Sequence, residues 1–235
     1  MPVLLKQVIP LGRTLREYEL MFALTEADRS RKILGCGDGP ASFNAEWTAR
    51  GGSVISLDPI YEFSGAEIQQ RFDAVLDDVL AKVDASSDRW VWNFHQTPQG
   101  LRANRVAAME RFLAAYESGK TAGWYLVGEL PKLPFQDGAF DLALCSHLLF
   151  LYSNLFSTEF HVASLLELCR VATEVRVFPL LDLVGEPSAH LDAVRLALAS
   201  QGLTTVIEPV NYEFQKGGNQ MLRVFRKYEK TRQTD

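Results

Sequence analysis

The clearest chemical signal in the chain is carried by five residues, Gly35-Cys36-Gly37-Asp38-Gly39, and by one carboxylate further on, Asp58. Glycines let the backbone take positive φ and approach a ligand closely, because no Cβ stands in the way. An acidic residue about 20 positions beyond such a loop, at the tip of the next strand, can accept hydrogen bonds from ribose hydroxyls. Pro59 keeps Asp58 extended, since the residue before a proline is driven out of the helical region. The pattern predicts a site for a ribosylated ligand. Each part also has a plainer use: a glycine-rich turn is an ordinary tight connection, and Asp58 alone fits a helix cap or a solvated loop carboxylate. His147 is the candidate proton carrier, because imidazole titrates near neutrality. A hydrogen-bonded structural histidine at a strand end fits the same position.

The elements that must position these groups follow from apolar periodicity. Ile33 and Leu34 end a short apolar run, a helix begins near Pro40, and Ser53 to Leu57 form a second β-prone run, which together make a βαβ unit. Proline suits a first helical turn, whose free N–H groups would face the ligand. Tyr125 to Val127 is a third strand with Gly128-Glu129 at its carboxyl end. Phe135 and Phe140 flank the turn Gln136-Asp137-Gly138, Asp141 to Ser146 is a fourth strand, and Glu174 to Leu181 a fifth. In an open α/β sheet, ligands sit beyond the carboxyl ends of the strands at the switch point. Gly35 to Gly39, Asp58, Pro59, Gly128, Glu129, Cys145, Ser146 and His147 should therefore converge there.

Thr204 to Val210 and Gln220 to Arg226 read as two last strands, joined by residues 211–218 in an antiparallel pair. If the sixth strand runs parallel to the central ones, its exit loop lies on the ligand side. Tyr212, Phe214 and Lys216 then border an acceptor pocket, or they merely close the hairpin. Leu11, Leu15, Tyr18 and Phe22 mark a helix from about Arg13 to Leu24, which covers the ligand edge or packs beside the sheet. The stripe Ile68, Phe72, Val75, Leu76, Val79, Leu80 and Val83 predicts one helix, and Val106, Met109, Leu113 and Tyr116 another that ends near Gly119. One of these supplies the crossover that parallel strands require, and the rest of the interval is an insertion. It buries its stripe within the chain as a lid or against a second copy in a homodimer. Between the two helices, Trp90, Trp92, Phe94 and His95 read as a packed loop, a short strand or a lid over a substrate. Ser157 to Val171 and a segment with Leu191, Val194 and Leu198 are further helices, the latter capped by Ser188 and ended at Gly202.

The glycine spacing separates two ligand classes. A dinucleotide fingerprint, G-x-G-x-x-G, starting at Gly35 requires glycine at position 40, where this chain has Pro40. The G-x-G-x-G loop instead resembles motif I of the class I S-adenosylmethionine-dependent methyltransferases. Leu57-Asp58-Pro59 resembles their acidic motif, and GELPKLPFQDGAFDLALCSHLLFLY, Gly128 to Tyr152, resembles the LPF…FD segment of their small-molecule branch, which includes ubiquinone- and menaquinone-type enzymes. The motifs stand in the family's order and span roughly Ile33 to Tyr152. The resemblance implies a doubly wound, mostly parallel seven-stranded α/β sheet with a reversed last strand, S-adenosylmethionine as cofactor, and methyl transfer to a small molecule. It also implies an acidic residue near the adenine amino group, commonly aspartate and here Glu129. Tyr152, Tyr212 and Phe214 are candidates for the acceptor side. The Asn-Pro-Pro-Tyr type of motif associated with exocyclic-amine methylation does not occur. A nicotinamide-dependent oxidoreductase and a non-catalytic nucleoside-binding protein of the same fold remain the competing readings.

Composition agrees with a soluble globule. With 235 residues the chain fits a single domain over 1–235, with an N-terminal helical segment in 1–30 and the crossover helix plus insertion in 60–120. Its net charge of −5, with only the local basic run Arg223 to Lys230, argues against a nucleic-acid partner. Cys36, Cys145 and Cys169 are an odd number without metal-type spacing and fit a reducing cytoplasm. No long apolar run suggests a secretion signal in MPVLLKQVIPLGRTL or a membrane span. His95, His147, His161 and His190 show no zinc-type pairing, so no metal is expected.

Overall fold

The computed structural model describes residues 8–226. Residues 1–7, with much of the stretch read above for a secretion signal, and 227–235, with the end of the basic run, lie outside them. Helix α1 (Leu15–Met21) opens on a capping box, in which Thr14 and Glu17 satisfy each other's backbone N–H groups. Strand β1 (Lys32–Cys36), helix α2 (Phe43–Ala49) and strand β2 (Ser53–Leu57) form the first βαβ unit. The helix starts later than Pro40 suggested. Ser42 N–H donates to Arg13 O (3.0 Å) and Gly39 N–H to Asp58, so part of the donor set expected to face a ligand is used by the protein itself.

Helix α3 (Gly65–Asp84) carries a second capping box, between Ser64 and Glu67. Helix α4 (Pro98–Thr121) begins eight residues before its predicted stripe, because Thr97 caps it and Pro98 sits in its first turn. Strands β3 (Tyr125–Leu126) and β4 (Phe140–Ser146), helix α5 (Thr158–Val171), strand β5 (Ala172–Phe178), helix α6 (Leu191–Ser200) and strands β6 (Leu203–Pro209) and β7 (Gln220–Arg226) follow. β5 stops at Phe178 rather than Leu181, since Pro179 has no N–H for the ladder.

The strands form one sheet in the order β3-β2-β1-β4-β5-β7-β6. β1 to β5 pair in parallel, and β7 runs antiparallel to both β5 and β6, which leaves β6 parallel to the rest. This is the doubly wound, mostly parallel α/β sheet with a reversed last strand that the resemblance implies, and its order reverses between β1 and β4. Alternate side chains of a strand face opposite sides. Ile33, Leu142 and Leu144 accordingly pack with α1 and α2, whereas Leu34, Ala143 and Cys145 pack with α5 and α6. α4 lies along α2 and β3 as the crossover, and α3 lies on α4. Ile68, Phe72 and Leu76 of α3 are buried with Tyr61, Met109, Phe112 and Tyr116. Part of the insertion's stripe is therefore covered within the chain, while Val75, Val79 and Leu80 are half-buried. Among the described residues, no helix is long and apolar enough to cross a membrane.

Candidate functional site

At the carboxyl end of β1 the backbone turns through Gly37 (φ +71°) and Gly39 (φ +55°), conformations that side chains with a Cβ rarely adopt. Gly35 is required for another reason. A Cβ there would overlap the carboxylate of Asp38, which is folded back beneath the turn. Tyr18 OH donates to Asp38 Oδ1 (2.8 Å) and Ser56 Oγ to Oδ2 (2.6 Å), and burial pushes the Asp38 carboxyl up to about 6. Asp38 borders the cavity and accepts one hydrogen bond from the protein on each carboxylate oxygen.

Asp58, at the tip of β2, is extended (φ −159°, ψ 142°) as Pro59 demands. Its Oδ2 accepts from Gly39 N–H and its Oδ1 from Ile60 N–H, both at 2.8 Å. The glycine bend and the acidic strand tip are thus joined directly. Burial raises the Asp58 carboxyl above its ordinary value, and the two backbone donors oppose that shift. Tyr61 OH donates to Gly39 O (2.7 Å) and fixes the far side of the bend. Gly128 follows β3, where a Cβ would come within 2.9 Å of the Leu57 side chain. Glu129 beside it is exposed.

Beyond β4, Ser146 Oγ lies 2.9 Å from His147 Nδ1, and His147 N–H donates to Phe178 O at 2.7 Å. His147 has φ +54°, unusual for a residue with a side chain. Burial and the charges of Arg13 and Arg105 hold its imidazole well below the ordinary value, so the ring is neutral at physiological pH. Cys145 departs from expectation. Strand alternation turns it into the α5 side of the core, where it is fully buried with its thiol pushed up to about 12. It does not border the cavity, whereas Cys36 and Ser146 do.

Two cavities open at this edge. The first, about 820 Å³, is bordered by Cys36 to Gly39, Asp58, Pro59, Gly128, Glu129, Ser146 and His147. The second, about 160 Å³, is bordered by Tyr152, Tyr212 and Phe214, all three of the candidate acceptor residues. Lys216 instead bonds through its backbone N–H to Arg89 O. The aromatic run is a packed loop: Trp90 stacks on Phe214 at 4.8 Å and Val91 N–H donates to Phe214 O at 2.7 Å. Ile9, Leu11, Arg13 and His147 border both cavities, and α3 contributes Val75 to the first and Val79 and Val83 to the second.

Sequence reasoning missed the buried cluster that holds this seam. Glu17 of α1 takes both terminal nitrogens of Arg105 of α4 and accepts from Tyr212 OH (2.9 Å), while Arg105 Nη1 also donates to Gly12 O (2.7 Å). The Arg105 charge overcomes burial and holds Glu17 down at about 2. Arg13, Tyr18 and Tyr61 were missed as well. One signal was available: Gly12, whose added Cβ would overlap the Pro40 carbonyl, marks where the N-terminal segment rests on the glycine loop.

No family model matches the chain. It is 33% identical over 223 residues, 94% of this chain and 98% of the other, to the uncharacterized protein MJ0045 of Methanocaldococcus jannaschii. Among solved structures it is similar to protein PH0226 of Pyrococcus horikoshii OT3 (13% identity, TM-score 0.49, 91% of this chain and 89% of that one). It is also similar to magnesium protoporphyrin IX methyltransferase ChlM of Synechocystis PCC 6803 with bound SAM (12%, 0.44, 84% and 70%). A third similarity is to the mitomycin 7-O-methyltransferase MmcR (14%, 0.48, 91% and 54%).

Proposed function

The chain belongs to the same family as the Methanocaldococcus jannaschii protein MJ0045, and we propose that it is an S-adenosylmethionine-dependent methyltransferase acting on a small molecule. The observation that carries this reading is the 2.8 Å hydrogen bond from Gly39 N–H to Asp58, on the wall of the 820 Å³ cavity beside the switch point. A carboxylate oxygen can accept two hydrogen bonds. Each Asp58 oxygen accepts one from the protein, which leaves a lone pair on each for the ribose hydroxyls. Gly37 and Gly39 bring bare backbone to the amino-acid end of the donor. Pro59, Gly128, Glu129 and Ser146 border the remainder, with the Glu129 carboxylate offered to the adenine amino group. Asp38, Asp58, Glu62 and Glu129 line this cavity against Arg13 and Arg71, a balance that favours a cationic ligand.

When bound, the donor supplies an electrophilic methyl group on a positively charged sulfur; the acceptor's lone pair forms the new bond to carbon as the C–S pair leaves on sulfur. The chain's main task is alignment, and well-oriented approach lowers such a barrier by about 7 to 11 kcal/mol. His147, neutral and bordering both cavities, is the proposed base. With Nδ1 engaged by Ser146, Nε2 is the atom to take a proton from an acceptor hydroxyl. Tyr152, Tyr212 and Phe214 surround the acceptor. The cysteines are free, and the cytoplasm is the proposed compartment.

Calorimetry of the folded protein with S-adenosylmethionine, S-adenosylhomocysteine and NAD tests this. Charged hydrogen bonds contribute about 1.5 to 3 kcal/mol each, so Asp58→Ala is expected to weaken donor affinity about ten- to hundredfold. Unchanged affinity rejects the ribose role. Tighter binding of NAD moves the chain to the oxidoreductase class, and donor binding without turnover across a broad acceptor panel leaves a nucleoside-binding protein.

A further inference from the structure

The second cavity has walls of one kind and charges of one sign. Trp90, Phe178, Phe214, Val79, Val83 and Leu183 make it apolar, and its charged lining residues are Arg13 and Lys82. No carboxylate lines it among the described residues. Lys82 Nζ is held by Asp78 at 2.6 Å. Arg13 has no such partner: Nη1 donates to Leu11 O (2.6 Å), while Nε is enclosed by protein without a hydrogen bond. Glu17, whose charge also acts on Arg13, is already bonded to Arg105 and Tyr212. A guanidinium thus stands at the junction of the two cavities without a salt bridge of its own among the described residues. Enclosing an unpaired cation is costly, and a carboxylate, which matches the guanidinium fork in a bidentate pair, relieves that cost. The volume sets the size of what accompanies the carboxylate. An apolar cavity of about 150 Å³ accommodates a single benzene ring.

We propose that the second cavity binds a compact hydrophobic acid, a single aromatic ring or short branched chain, with its carboxylate on Arg13 and its apolar body against Phe214 and Leu183. The inference rests on the donor reading of the first cavity and names the acceptor class for the same site. His147, bordering both cavities, lies where such an acid meets the donor.

The test is calorimetry on the full chain saturated with S-adenosylhomocysteine, using 4-hydroxybenzoate, phenylacetate and isovalerate beside their uncharged amides. At least one acid is expected to bind tenfold or more tighter than its amide. Arg13→Gln is expected to remove that preference, and Arg13→Lys to retain part of it. Acids and amides binding alike, or neither binding while S-adenosylhomocysteine does, overturns the proposal and leaves the donor reading standing. Failure of the chain to bind S-adenosylhomocysteine overturns both. Loss of S-adenosylhomocysteine affinity in Arg13→Gln with the acid preference kept assigns Arg13 to the donor's own carboxylate and overturns the proposal. Should Arg13→Gln not fold, the acid-to-amide ratio of the unsubstituted chain and of Arg13→Lys decides.

Discussion

The larger cavity is built from backbone and strand tips, with Gly37, Gly39, Asp58 and Gly128 around it, whereas the smaller is built from side chains that come from stretches as distant as Ile9, Val79, Leu183 and Phe214. The first is lined by four carboxylates and two arginines, the second by cations alone among the described residues. Sheet topology places the first, because a reversal of strand order leaves a crevice at the carboxyl ends wherever it occurs, and the N-terminal segment and α3 complete its wall. The second exists only because α3, the aromatic loop and the exit of β6 pack together. The position of the one follows from the architecture and that of the other from this chain's own packing, which is why the proposed donor site falls in the first and the proposed acceptor site in the second.

His147 borders both cavities and is the proposed base, and the largest effect is expected there. His147→Gln should lower turnover about 10²- to 10⁴-fold, the usual contribution of a positioned base, with donor affinity within threefold by calorimetry. Wild-type turnover in the variant would remove His147 from the chemistry. Behind the wall of the second cavity, His95 is held down at about 4 by burial and by the Arg105 charge. Its unfolded form binds a proton below about 6.5 while the folded form does not. Its contribution to stability is therefore full above that pH and declines as pH falls toward 4, by about 2 kcal/mol at pH 5 at 1.36 kcal/mol per unit. Urea midpoints should show the gap between the wild type and His95→Gln narrowing by that amount from pH 7.5 to pH 5; a gap independent of pH contradicts the assignment.

Phe214→Ala strips the second cavity of its stacked contact with Trp90. A half-buried phenylalanine should cost about 2 kcal/mol of stability, below the 3 to 5 kcal/mol of a fully buried one, and donor binding should not change. A matching loss of donor affinity would mean that the two cavities are not separable. The smallest effect is expected at the rim of the first. Glu129 is exposed, and Glu129→Gln should change donor affinity by less than about 1 kcal/mol. A tenfold loss would give it a larger part in binding the adenine.

This contrast also explains what the amino-acid sequence could tell. The glycine bend, Asp58 held extended by Pro59, and the succession of strands along the chain were legible because local backbone rules decide them. Cys145 was misread although alternation along β4 was available to separate it from Ser146. The start of α4 was written in Thr97-Pro98, but the apolar stripe beginning at Val106 is weaker there and drew the boundary inward. Arg13, Tyr18 and Tyr61 could not be read locally. Their importance comes from Asp38, Gly39 and the cavities, all distant in sequence, and nothing in PLGRTLREYE announces which of its polar residues will face inward.

The Glu17 junction has a consequence for how such chains can diverge. One carboxylate ties α1, α4 and the loop after β6 through Arg105 and Tyr212. Removing either charge alone strands the other in the interior, at a cost of about 3 to 5 kcal/mol, while replacing both with apolar side chains of similar volume is close to neutral. Substitution at positions 17 and 105 is therefore expected to be concerted across descendants of a common ancestor, with single exchanges purged and paired ones retained.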